Sequence, residues 1–509
     1  MENHRLASMA TVRTIEAHAR SSLPEGELMR RAGAAAGRRI VDCLTSAGHS
    51  TGQIVVLVGP GDNGGDGRIV ADELRQSGYT VDTILGNDAQ ALPGAADPIA
   101  IVDALFGIGL SRPLAGEWIR AVEWINGAPE PAIRIALDVP TGLNADTGAI
   151  VGSVAVRADL TVTFLADKPG LHTGRGRELA GTVVVEDLKV GLPFQAADTS
   201  SIRDGFLCDP ALVRHLAQPM RKRSDTHKGD FGTAMIIGGS PGMAGAALLA
   251  GRAALLCGAG RVVLGFPAGA PIAVDPNYPE LMLREASEAL NQTGATALAI
   301  GPGLGTDATA RDALKVALER STRSGEPLVI DADALTLIAS DCELSSALSR
   351  RGQMHPNCPA ILTPHPLEAA RLLNSATAAD IQQDRIGAAC RIARDRNCIV
   401  VLKGAGTVIA ASDGSWWIAP VGNSALATGG TGDVLTGSIA GLLAQAIRAK
   451  RPPIEAALLG VWCHGRGAES WVEAGHQPSG MTTTELLPRL RAVLHDCLNP
   501  GAHLLRQAG

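Results

Sequence analysis

The chain has 509 residues, 46% of them hydrophobic and 19% charged, enough for two large domains with complete cores and too apolar for extensive disorder. Its net charge of −6 excludes the basic footprint of a nucleic-acid binder, and an aromatic content of 3% argues against base-stacking platforms. Nine cysteines at irregular spacing, without a C-x-x-C pair, indicate neither a disulfide framework nor a zinc site. The first twenty residues lack an apolar signal core and no run of 18 apolar residues occurs, so a cytoplasmic protein without a membrane span is expected.

In chain order, short β-branched runs alternate with helix-like stretches. The first half offers QIVVLVG (53–59), YTVDTILG (79–86), IAIVDALFG (99–107), AIRIALDVP (132–140) and LTVTFLADKP (160–169). The second offers TAMIIGG (233–239), GRVVLGFP (260–267), ALAIGPG (297–303), PLVIDADAL (327–335), AILTPHP (360–366) and IVVLKGAG (399–406). Continuous apolar runs of this length suit parallel strands buried on both faces. The intervening amphipathic stretches, such as 67–78 and 308–321, then supply crossover helices, which gives α/β folds. Residues 193–226 lack clear strands, and 220–230 is a polar, charged stretch, so the linker is expected at about 200–225.

Chemistry is expected at strand ends, where parallel sheets bind ligands. GPGDNGGDG (59–67) follows a strand and opens a helix; its glycines allow close backbone approach, and Asp62, Asn63 and Asp66 add oxygen ligands or hydrogen-bond partners. Asp103, Asp138 with Thr141, and Lys168 lie at the ends of three further strands. Asn63, Asp103 and Thr141 can supply hard oxygens to a cation, and Asp138 beside Lys168 can act as an acid–base pair. The plainer alternative is that Asp103 and Asp138 cap the following helices.

In the second half, NSALATGGTGDVLTGSIAGLLAQ (423–445) is a glycine turn leading into an apolar helix with Asp433 in its first turn. Backbone N–H groups around Gly430, Thr431 and Gly432 form an anion nest, beside which an aspartate can take a hydroxyl proton during phosphoryl transfer. Lys403 is a natural phosphate partner, and no Walker-A pattern is present. His365, between two prolines, is a candidate ligand contact; no second His or Cys stands at metal-ligand spacing.

LMRRAG (28–33), DNGGDG (62–67), DALFGIGL (103–110), DVPTGL (138–143) and KPGL (168–171) together resemble the NAD(P)H-hydrate epimerase domain. HKGDFG, GMAGAA, GPGLG, DADAL, TPHPLEA, KGAGT and GGTGD appear in the order of the ADP-dependent (S)-NAD(P)H-hydrate dehydratases, so the whole chain is similar to the bifunctional NAD(P)H-hydrate repair enzymes. The resemblance implies a Rossmann-like α/β/α epimerase domain at 1–205 and a ribokinase-like α/β/α dehydratase domain at 215–509. It implies epimerase substrate contacts at Asp62, Asn63, Gly64, Gly65, Asp66, Gly107, Ile108, Gly109, Leu110, Ser111, Arg112, Pro113 and Asp138. Potassium falls to Asn63, Asp103 and Thr141, and catalysis to Asp138, Lys168 and Asp433. The hydrated nucleotide is expected at Ala246, Gly303, Gly305, His365 and Asp433 of the dehydratase. ADP, accompanied by magnesium, is expected at Lys403, Gly404, Ala405, Gly406, Thr407 and Gly432. Asp62 and Thr141 stand where the family usually has Asn and Ser; the threonine keeps the hydroxyl, whereas Asp62 adds a negative charge to the substrate loop. Partners are the hydrated forms of NADH and NADPH and ADP, without nucleic acid or membrane, in a homo-oligomer. The rival readings are a kinase for a sugar or vitamin alcohol, which would release a stable phosphorylated product, and a nucleotide-binding module without catalysis.

Overall fold

The computed structural model describes residues 4–88, 92, 97–190, 204–221, 224–374 and 377–499. It divides into two compact units, one of Arg5–Phe206 and one of Met1–His4 with Leu207–Gly509. The expected linker region is partly structured: Gly205–Leu207 is a strand and Pro210–Ala217 a helix capped by the Asp209 carboxylate, while 200–203, 222 and 223 lie outside the described residues.

In the first unit, β1 (Arg5–Leu6) pairs with Gly205–Phe206 of β8 (Gly205–Leu207). Between them come β2 (Gln53–Val58), β3 (Thr80–Leu85), β4 (Ala100–Ala104), β5 (Ile133–Leu137), β6 (Leu160–Phe164) and β7 (Thr182–Glu186). They form a parallel sheet in the order β3-β2-β4-β5-β6-β7. Side chains alternate across a strand, so the continuous apolar runs feed two cores. Ile54, Val56, Val58 and Val102 pack with Ile40, Leu44, Val70 and Leu74 of helices Glu27–Ser46 and Asp62–Gln76. Val55, Leu57 and Ile101 pack with Ala121, Val122 and Ile125 of helix Glu117–Asn126 on the other face. This is the expected three-layer α/β/α arrangement. The order reverses between β2 and β4, so the loops after these strands diverge and leave a crevice at their carboxyl ends.

The second unit contains β9 (Thr233–Ile237), β10 (Arg261–Phe266), β11 (Met282–Glu285), β12 (Ala297–Ile300), β13 (Leu328–Ile330), β14 (Ile361–Leu362), β15 (Ile399–Leu402), β16 (Thr407–Ala410) and β17 (Trp416–Ala419). Their order is β17-β16-β15-β14-β13-β12-β9-β10-β11, parallel from β15 to β11 and antiparallel through β16 and β17. Ile236, Leu264, Ala299 and Val401 join a core with helices Ala244–Leu256, Thr431–Arg448 and Pro453–Glu473. The alternate residues Leu298, Ile300, Leu328, Ile330 and Leu402 are equally buried. The sheet reverses between β9 and β12, which again places a crevice at strand carboxyl ends. Among the described residues no helix is long and apolar enough to cross a membrane. All nine cysteines are free, and five are buried.

Candidate functional sites

A cavity of about 760 Å³ opens at the crevice of the first unit. Asp62, Asn63, Asp66, Gly107, Ile108, Gly109, Leu110 and Asp138 line it, together with Val12, Arg13, Glu16 and Arg20 from helix Met9–Ser22. Asp138 follows β5 in a left-handed conformation, φ 65°, which turns its carboxylate into the crevice. Its Oδ1 lies 3.0 Å from Lys168 Nζ. Its Oδ2 accepts the Ile108 N–H at 3.0 Å. Lys168 is fully buried and also donates to Thr163 Oγ1 at 2.6 Å and to the Phe164 carbonyl at 3.0 Å. Every donor direction of this ammonium is thus satisfied, which fixes Asp138. A Cβ at Gly107 would lie 2.6 Å from Asp138 Oδ2, so only glycine lets the loop pass this close. Gly64 and Gly65, in the first turn of helix Asp62–Gln76, are closely packed: Cβ atoms there would meet the Gly59 carbonyl at 2.0 Å and the side chain of Met29, which lines the cavity, at 2.6 Å. Ser111, Arg112 and Pro113 are exposed beyond it.

Asp103 and Thr141 lie under the cavity, each 1% exposed. Asp103 Oδ1 accepts the Thr141 hydroxyl at 2.7 Å and Oδ2 the Thr141 N–H at 2.8 Å. Burial pushes this carboxyl up to about 6 against those hydrogen bonds, and its partners are neutral N–H and O–H groups. Asn63 is buried, and neither its Oδ1 nor its Nδ2 has a hydrogen-bond partner. A buried orphan amide and a buried carboxylate held by neutral donors fit a cation with oxygen ligands. Asp66 is pushed up to about 8 by burial and by the charges of Asp138, Asp62 and Glu16.

In the second unit the carboxyl ends of β13 and β15 meet the first turns of helix Thr431–Arg448, through Asp331 and Lys403. Gly303, φ 56°, is packed against Ala246, whose Cβ would be 3.0 Å from a Cβ at that glycine. The Gly305 N–H donates to Asp333 Oδ2 at 2.8 Å. Asp331, at the end of β13, is buried and accepts Lys403 Nζ at 2.8 Å and the Thr436 hydroxyl at 2.7 Å. Burial opposes its charge, but Lys403 and the Thr436 and Thr363 hydroxyls hold it below the ordinary aspartate value. Burial likewise opposes the charge of Lys403, and Asp331, Glu368 and Asp433 outweigh it. A Cβ at Gly432 would lie 3.5 Å from Lys403 Nζ, so the ammonium stands beside the glycine turn. Gly430 caps the helix at φ 90°, and the N–H groups of Thr431, Gly432 and Asp433 have no acceptor within the helix. Asp433 is pushed up to about 6 by burial and by the charge of Asp331.

His365 caps helix Pro366–Leu373: its Nδ1 accepts the Leu367 and Glu368 N–H groups at 3.1 and 3.3 Å. Its Nε2 side is half exposed and faces Glu368 Oε1 at 3.4 Å. Gly404, φ 144°, lies over the buried Arg385, whose guanidinium would be 2.8 Å from a Cβ there. The Thr407 hydroxyl donates to the Gly404 carbonyl at 3.1 Å, closing the turn of 403–407. Sequence motifs contained Asp331 and Glu368 without singling them out; the signal was a charged residue directly after an apolar strand for Asp331, and a glutamate three residues after His365 at a helix start for Glu368. Arg20 had no local signal.

The family described as NAD(P)H-hydrate dehydratase matches residues 234–491, and that described as YjeF-related protein N-terminus matches 25–97 and 87–170. The chain is 36% identical over 503 residues to a bifunctional NAD(P)H-hydrate repair enzyme of Coxiella burnetii, covering 93% of this chain and 96% of that one. The corresponding enzyme of Escherichia coli is 35% identical over 497 residues, covering 92% and 89%. An ADP/ATP-dependent NAD(P)H-hydrate dehydratase from Bacillus subtilis, co-crystallized with ATP/Mg2+, is 33% identical with a TM-score of 0.48, covering 57% of this chain and 98% of that one. With matches along both units and across nearly the full length of such relatives, this chain belongs to the bifunctional NAD(P)H-hydrate repair enzymes.

Proposed function

We propose that residues 5–206 interconvert the R and S hydrates of NADH and NADPH, and that residues 207–499 dehydrate the S hydrate at the expense of ADP. The observation that carries this assignment is the contrast between the two sites. One presents a carboxylate fixed by a buried lysine in a cavity; the other presents a carboxyl group beside an ammonium and an anion nest.

The hydrate carries a hydroxyl on carbon 6, next to the ring nitrogen. Asp138 takes the hydroxyl proton as the bond from carbon 6 to nitrogen opens, and the nitrogen is protonated. Reclosure on the opposite face of the resulting aldehyde gives the other epimer, and Lys168 keeps the carboxylate oriented. Asn63, Asp103 and Thr141 would hold potassium, which supplies fixed positive charge beneath the substrate loop; the orphan amide of Asn63 supports this.

In the second unit hydroxide is a poor leaving group. Asp433 takes the hydroxyl proton while the oxygen attacks the β-phosphorus of ADP, and AMP leaves. Lys403 and the N–H groups of the turn at Gly432 hold the transferring phosphoryl group, and magnesium accompanies the nucleotide. The ring nitrogen lone pair then expels phosphate from carbon 6. Loss of a proton from carbon 5 restores NAD(P)H, so hydrate and ADP yield NAD(P)H, AMP, phosphate and a proton.

Incubation with purified epimers tests both halves. Exchange of R and S without nucleotide, followed by chromatography, and recovery of NADH absorbance with ADP are expected. A stable phosphorylated product with no free phosphate and no recovered NAD(P)H would instead establish a kinase.

A further inference from the structure

Arg20 and Asp62 face each other across the mouth of the first unit's cavity. Arg20 Nη2 lies 2.7 Å from Asp62 Oδ2 and 2.6 Å from Glu16 Oε1. Arg13, Glu16 and Arg20 recur at helical spacing, so one face of helix Met9–Ser22 forms this wall. Arg20 and Asp62 are 55% and 68% exposed, which places the pair at the rim. An exposed pair of this kind adds little to stability. Its effect is on the potential at the mouth of the cavity.

The charges there are nearly balanced. Glu16, Glu25 and Asp62 contribute carboxylates, and Arg13 and Arg20 contribute guanidiniums. Asp138 is offset separately by Lys168. If this site takes a hydrated dinucleotide, as proposed above, its ligand carries a pyrophosphate and is repelled by an acidic rim. Asp62 stands at the start of helix Asp62–Gln76, in the loop that lines the cavity, where a lone negative charge would meet that anion directly.

We propose that Arg20 is a positioning residue for epimerisation, which masks the charge of Asp62 and thereby sets the affinity of the cavity for a phosphate-bearing substrate. It acts through Asp62 and touches no reacting atom. Replacing Arg20 therefore weakens substrate binding and leaves the chemical step alone. The loss depends on the charge at position 62 and on ionic strength, because interactions between exposed charges are screened by salt.

The test uses the full-length protein, the purified R hydrate of NADH, no ADP, and chromatographic separation of the epimers at low ionic strength. Arg20→Ala is expected to raise KM about tenfold with kcat within about twofold of the parent, the size of effect one close charge can exert. The difference shrinks at high salt. Asp62→Asn added to Arg20→Ala returns KM to within about twofold of the parent, because it keeps the shape of the side chain and brings the net charge of the rim back to the parent's, with Glu16 and Glu25 against Arg13. Calorimetry of both variants checks that the first unit still melts as in the parent. An unchanged KM in Arg20→Ala overturns the proposal. So does a raised KM that Asp62→Asn does not repair, which would mean that Arg20 braces the helix or binds the ligand itself. Absence of epimerisation by the parent protein would instead remove the assignment of activity to this unit.

Discussion

Lys403 Nζ and Asp331 Oδ1, 72 residues apart in sequence, meet at 2.8 Å at the ends of β15 and β13. The pair orients the ammonium toward the turn at Gly432 and carries the acidic and basic charge of the second site into a buried setting. Asp331→Asn breaks the ion pair and leaves Lys403 with Glu368 at 4.0 Å. Loss of one partner of a buried pair costs about 3 kcal/mol. Asp331 is held below the ordinary aspartate value, so its contribution is present above about pH 4 and is lost as pH falls further. Calorimetry should show a lower Tm at neutral pH that converges with the parent in acid, and the KM for ADP should rise.

Asp433→Asn should reduce dehydration about 10²–10⁴-fold, the usual cost of removing a general base, with epimerisation unchanged. In the parent, Asp433 titrates near 6, so kcat/KM for dehydration should rise with pH through about 6 and then level off. NADH absorbance at saturating ADP reports this. A flat profile between pH 5 and 7 would remove Asp433 from the role of base.

In the first unit, Asp138→Asn should abolish epimerisation while ADP-dependent recovery of NADH from the S hydrate persists. Gly107→Ala is a milder probe. Its Cβ would crowd Asp138 Oδ2 at 2.6 Å, and a displacement of the carboxylate should lower epimerase kcat by about tenfold or more. Equal epimerase activity in Gly107→Ala and the parent would show that Asp138 need not hold this position.

His464 Nε2 donates to the Thr431 carbonyl at 2.9 Å, where the glycine turn enters its helix. Burial pushes this imidazole down to about 4. The unfolded chain therefore binds a proton near pH 6.5 that the folded chain refuses until about pH 4, and stability falls as pH drops through that window. A depression of this size corresponds to roughly 3 kcal/mol at the acid end. His464→Gln should flatten the dependence of the second unit's Tm on pH between 6.5 and 4.

Exchanging potassium for tetramethylammonium should lower epimerase activity and the Tm of the first unit without affecting dehydration of the S hydrate in magnesium. Asn63→Ala should remove the potassium dependence of both readouts. If Asn63→Ala retains it, the ion is held elsewhere.

The sequence by itself determined the layers and the strand ends and glycine turn that carry the candidate site residues. Apolar runs buried on both faces, such as those of β2, β4, β9 and β12, are legible because consecutive side chains are apolar whichever way they point, Gln53, Asp103 and Thr233 at or near their ends apart. Asp138 and Lys168 were legible because parallel strands bring their carboxyl ends together regardless of loop detail, and Asp433 because a glycine turn before an apolar helix is a local signal. Two edge strands escaped: β7 is three valines between Thr182 and Glu186 and only partly buried, and β11 ends in two exposed charged residues. Strand order, and everything that depends on it, belonged to the tertiary structure. The crevices between β2 and β4 and between β9 and β12 follow from which neighbour each first strand takes, a choice made by packing between distant segments. The partnerships of Lys403 with Asp331 and of Arg20 with Asp62 follow in turn, because a charge finds its counterpart only after the chain has brought the two to the same rim.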